Sequence, residues 1–112
     1  MKNKDKSSVV NELLELAKKS KLNSEQKKRI VKIVENLEDA TETQKERFII
    51  YYGFNDNGVN LRNLTKIAKS YGCTPSAVRL SVVTLKNKLS RLNEEFEIIE
   101  QVVTECDKNN KE

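Results

Sequence analysis

The sequence predicts an all-α fold: a helix-turn-helix domain with two N-terminal helices and a long C-terminal helix. Three observations lead there. Only three Gly and one Pro occur in 112 residues, too little turn material for a sheet with many short connections. Apolar residues recur at helical spacings of three and four along most of the chain. Gly72 and Pro75 fall between two such runs, which is how one helix stops and the next starts.

Each element follows from local pattern. Ser8 to Lys19 reads as the first helix, with Val9, Leu13, Leu16 and Ala17 on one face. Lys21, Leu22 and Asn23 break it. Ser24 is the expected N-cap of the second helix; Lys27 three residues later forms no capping box. That helix runs to about Glu38 and buries Ile30, Ile33, Val34 and Leu37. Thr41 or Thr43 opens a third, carrying Phe48, Ile49 and Tyr52 and stopping at Gly53. Asn55 to Gly58 is a loop. A fourth helix spans about Leu61 to Tyr71, with Leu64, Ile67 and Ala68 inward and Gly72 closing it in a left-handed conformation. Thr74 then caps the next helix and Pro75 occupies its first position, where a missing N–H costs nothing. A short helix, a Gly turn and a capped helix are helix-turn-helix grammar.

From Val78 the apolar residues run Val78, Val82, Leu85, Leu89, Leu92, Phe96, Ile99, Val103 and Cys106, alternating by four and three, with no Gly or Pro after Pro75. This is a heptad seam on one long helix or two nearly collinear ones. The helix-turn-helix core needs its first residues, so Leu89, Leu92, Phe96, Ile99 and Val103 are left to hold a homodimer or to fold back on the N-terminal helices. The sequence leaves these two readings even. Three segments result: an N-terminal helical pair (1–40), the helix-turn-helix (41–92) and an acidic helical tail (93–112), expected to form one compact unit.

Charge is distributed along the same lines. Residues 1–40 hold ten Lys/Arg and seven Asp/Glu, a net +3; residues 41–92 hold nine and three, +6; residues 93–112 hold two and seven, −5. A polyanion is attracted to the middle and repelled by the tail. There is no His, and Cys73 and Cys106 have no ligand spacing, so neither a metal, a cofactor nor an enzyme is expected. Cys73 is expected to be a buried structural thiol. No apolar run approaches the roughly 18 residues of a membrane span, and no secretory leader pattern opens the chain. A reduced, cytoplasmic protein is expected.

The stretch TETQKERFIIYYGFNDNG followed by NLTKIAKSYGCTPSAVR resembles region four of bacterial primary-type RNA polymerase sigma factors. Tyr52, Gly53 and Phe54 match its Tyr-Gly-Leu-like triplet. Leu64, Ile67, Ala68, Tyr71, Gly72, Cys73 and Thr74 fall in register on its helix-turn pattern, with Val78, Arg79 and Leu89 continuing it. The resemblance covers about Thr41 to Leu92. It implies that the second helix binds promoter DNA and that the domain docks on the β flap of the RNA polymerase core. Three base-reading positions of that family fall here on Pro75, Ser76 and Leu80, none able to make a bidentate base contact. The 40 residues before Thr41 are too few for a promoter-melting domain, so the chain is expected to complement, activate, inhibit or repress rather than to start transcription alone.

The expected function is a DNA-binding transcription regulator acting on double-stranded DNA. Arg79 is its expected principal groove contact and Lys66, Lys69 and Lys86 its expected phosphate contacts. Thr74, Ser76, Leu80 and Val83 lie on the same helix entry and outward face. The other reading is a helical adaptor that keeps the fold but binds protein through Leu80 and Val83.

Overall fold

The computed structural model describes residues 5–54 and 63–110, with side chains placed through Cys106. Among these residues the chain is all-α. Its helices are α1 (Lys6–Lys18), α2 (Ser24–Glu35), α3 (Glu42–Tyr52), α4 (Leu64–Tyr71), α5 (Pro75–Leu89) and α6 (Phe96–Asn110). Asn55 to Gly58, read as a loop, and the expected start of the fourth helix at Leu61 lie outside the described residues.

The helix ends show why the chain breaks where it does. Asp5 caps α1, accepting the Ser8 N–H at 2.8 Å. Thr41 caps α3 in a full capping box with Gln44. Asn23, one residue before the expected Ser24, caps α2. The shift places Gln26 at the third helical position, where it returns a hydrogen bond to the Asn23 N–H and completes a capping box the sequence reading had denied. Gly53 and Gly72 end α3 and α4 in left-handed backbone, with φ of 73° and 64°. Behind each glycine a 6→1 bond closes the helix, from Phe54 N–H to the Ile49 carbonyl and from Cys73 N–H to the Ala68 carbonyl. Ser20 closes α1 in the same manner at φ 58°, with Lys21 N–H on the Leu16 carbonyl, although it has a Cβ.

Buried residues from all these helices form one hydrophobic cluster. To it α1 contributes Val9, Val10, Leu13, Leu14, Leu16 and Ala17. Adjacent pairs such as Val9–Val10 and Leu13–Leu14 cannot share one narrow stripe. They face different neighbours, and α1 packs against α6, α3 and α5. Buried and half-buried polar groups tie the helices together. Lys45 of α3 is 7% exposed and donates to the Glu35 carbonyl at 2.7 Å, a cation on the last carbonyl of α2, where the helix dipole favours one. Gln26 and Arg29 of α2 both bond the Glu105 carboxylate of α6.

The C-terminal half departs from one continuous helix. α5 stops at Leu89, and the Ser90 hydroxyl donates back to the Lys86 carbonyl, a side-chain bond that weakens helix continuation. Three successive i→i+3 turns, from Asn93, Glu94 and Glu95, lead into α6. The break lets the apolar stripe reverse onto the chain itself. α6 packs on α1 and α2, and Leu89, Phe96, Ile99 and Val103 are all buried within one chain, with Leu92 partly so. Of the two coverings the sequence left even, the single chain shows intramolecular packing. Lys6 secures the corner: its ammonium donates to the Leu92 carbonyl and lies 5.3 Å from the Phe96 ring centroid. No described helix is long and apolar enough to cross a membrane.

Candidate nucleic-acid interface

α4 and α5 are joined by Gly72, Cys73 and Thr74 alone. The Thr74 hydroxyl accepts the Ala77 N–H at 3.2 Å, so a residue expected at the DNA is already committed to starting α5. Cys73 is half-buried rather than fully buried, and neither it nor Cys106 is in a disulfide.

Helical spacing and burial divide α5 into two faces. Val78, Ser81, Val82, Leu85 and Leu89 are buried. Ser76, Leu80, Val83 and Asn87, spaced four, three and four, are all exposed and form the opposite stripe. Leu80 is 66% exposed and Val83 43%, the two exposed large apolar side chains among the described residues. Arg79 and Lys86 run along one edge of the stripe. With Tyr51, Tyr52, Leu64, Val82 and Val83 they line a shallow cleft of about 340 Å³. Burial pushes the Tyr52 phenol up to about 12, with smaller contributions from Tyr51 and Glu15, so it is a neutral wall of that cleft at physiological pH. Lys66 and Lys69 are exposed on α4. The structure thus brings Ser76, Arg79, Leu80, Val83 and Lys86 onto or beside one helix face, and places Lys66 and Lys69 on the helix before the turn.

From Asn63 to Leu92 the cations are Lys66, Lys69, Arg79, Lys86, Lys88 and Arg91, and there is no Asp or Glu. Neither α4 nor α5 has an acid in its first turn, so the positive ends of both helix dipoles are uncompensated. Lys88 and Arg91 sit apart from the outward stripe, in a cleft of about 290 Å³ shared with Glu38, Asp39 and Glu95.

A junction that the sequence reading missed holds the α4–α5 pair on α3. Arg47 donates to the Ser81 hydroxyl at 3.0 Å, and its guanidinium lies 5.3 Å from the Tyr71 ring centroid. Tyr71 in turn donates to Glu46 at 3.1 Å. One side chain of α3 therefore touches the last residue of α4 and the buried face of α5. Ser81, a polar residue at 3% exposure on an apolar face, was the signal that could have revealed it. The aromatics at the end of α3 divide as well: Tyr52 and, just past the Gly53 cap, Phe54 are buried, and Tyr51 is half-exposed. Among the described residues no group of three or more His, Cys, Asp or Glu is placed to hold a metal ion.

No family model, curated protein or solved structure matches the chain.

Proposed function

We propose that the chain is a DNA-binding transcription regulator acting in the cytoplasm, which lays the outward face of α5 in the major groove of double-stranded DNA. The observation that carries this reading is the acid-free α4–turn–α5 pair, with Arg79 and Lys86 beside the exposed stripe and Lys66 and Lys69 on the preceding helix. Phosphate contacts by Lys66, Lys69 and Lys86 supply affinity that falls with salt, and Arg79 supplies the groove contact. The resemblance to sigma region four supports the same reading and adds the RNA polymerase β flap as a second partner, with Tyr51 as the half-exposed aromatic on α3.

The test is duplex binding across a salt series. Three phosphate contacts give a slope of log affinity on log salt of about −2.7. Arg79→Ala should lose about 1–3 kcal/mol if Arg79 reads a base. Equal binding by both proteins at every salt removes Arg79 from the readout, and no duplex binding at low salt removes the reading. The exposure of Leu80 and Val83 favours a second reading, a helical adaptor whose protein partner covers them; that reading expects Leu80→Ala to abolish partner capture with no duplex affinity to lose.

A further inference from the structure

The middle of the outward stripe of α5 is apolar. Leu80 and Val83 occupy it, Ser76 and Asn87 lie at its ends, and Arg79 and Lys86 run along one edge. In the major groove, base edges present hydrogen-bonding groups that lose water when an apolar side chain covers them and find no partner in return. The one apolar feature there is the C5-methyl of thymine. Leu80 and Val83 are three residues apart, about 4.5 Å along the helix axis, close to the roughly 3.4 Å step between successive bases on one strand. Asn87, exposed on the same stripe, has the amide that pairs bidentately with adenine. The flanking cations and the absence of any acid on α4 or α5 match a polyanion rather than an average protein surface.

We propose that α5 selects its DNA by its thymine methyl groups, with Leu80 and Val83 packing on the C5-methyls of neighbouring A·T pairs. This rests on the DNA-binding reading above and adds to it what the face prefers: A·T-rich duplex, recognised chiefly through its thymine methyls.

Two pairs of duplex polymers test it. Poly(dA-dT) and poly(dA-dU) differ by the C5-methyl, and poly(dG-dC) and poly(dG-m5dC) by the same group added to cytosine. At one low salt concentration the wild-type protein should prefer the methylated member of each pair, by about fourfold for each methyl buried. In the Leu80→Ala/Val83→Ala variant the difference within each pair should vanish. Both side chains are exposed and Ala favours a helix, and circular dichroism checks that the variant keeps its helices. Duplex binding that is equal for thymine and uracil overturns the methyl inference and leaves the DNA-binding reading standing. A preference that persists in the double variant overturns it too, by assigning the effect to DNA shape. No binding to any of the four polymers removes the DNA-binding reading itself and leaves the exposed pair to a protein partner.

Discussion

Replacing Ile99 by Ala tests how the C-terminal stripe is covered. Ile99 has no exposed surface and lies on α6 where that helix packs on α1 and α2. The substitution removes three carbon groups from a fully buried site, worth about 0.8 kcal/mol each, or about 2.4 kcal/mol. A residual cavity of roughly 50 Å³, at about 24 cal/mol per Å³, adds about 1.2 kcal/mol. The expected loss is about 3.5 kcal/mol, a large share of the roughly 5–15 kcal/mol that holds a domain folded. With a urea dependence of about 2 kcal/mol per molar, the unfolding midpoint should fall by about 1.7 M. The assay is urea unfolding by circular dichroism at two protein concentrations a hundredfold apart. Because α6 packs within its own chain, both proteins should keep their midpoints at both concentrations. A wild-type midpoint that rises with concentration, by about 1.4 kcal/mol per decade, would place these residues at an interface between copies. A loss under 1 kcal/mol would deny that Ile99 is core.

The helix ends and titrating groups give further expectations. Ser20→Gly should stabilise the fold by about 0.5–1 kcal/mol in thermal melts, since Ser20 holds a φ of 58° with a Cβ. Gly72→Ala should cost about 1 kcal/mol, all of it from the backbone, because a Cβ there meets nothing within 4 Å. Tyr52 titrates in the fold at about 12 against an ordinary 10.0. Its raised value contributes stability that is fully present below pH 10 and lost as pH rises towards 12, and Tyr52→Phe should flatten that alkaline limb. The hydrogen bonds from Gln26 and then Arg29 hold the Glu105 carboxyl below its ordinary value of 4.5. Its contribution is therefore present above that value and lost as pH falls through the folded one, and Glu105→Gln should narrow the gap to wild type in acid unfolding.

Periodicity made the helices legible, and punctuation made their ends legible: Gly53, Gly72, Thr74 and Pro75 stand where the chain breaks. What periodicity hides is how many neighbours a helix has. Val10, Leu14 and Val102 lie beside the expected stripes and are buried all the same, because α1 and α6 each meet more than one partner. The unbroken heptad from Val78 to Cys106 was misleading for a related reason. A stripe of constant spacing is equally compatible with a straight helix and with two helices turned back on one core, and the turn here uses Ser90 and Asn93 rather than Gly or Pro. On the candidate interface, the outward position of Leu80 and Val83 followed from the inward position of Val78, Val82 and Leu85. The Arg47 junction did not, since an Arg on a charged helix carries no mark of the partners it reaches in other helices.

The segregation of charge decides what a nucleic acid would meet. Net charge is only +4, a weak attraction if spread evenly. The −5 of the tail belongs to the segment containing α6, which packs on α1 and α2. The outward stripe of α5 faces away from the core, at least one helix diameter of about 10 Å from anything packed behind it. That distance is already a full Debye length, about 8 Å, at physiological ionic strength. Acids on α6 are therefore largely screened from a duplex lying against α5, while Lys66, Lys69, Arg79 and Lys86 are not. The field at the stripe is set by these four cations rather than by the net charge of the whole chain. Removing α6 charge, as in Glu97→Gln/Glu100→Gln, should accordingly change duplex affinity less than twofold at physiological salt and more at low salt, where the Debye length approaches the molecule's shorter dimensions of 29 and 19 Å. An equal gain at both salts would mean that the two charged regions lie close enough to share one field.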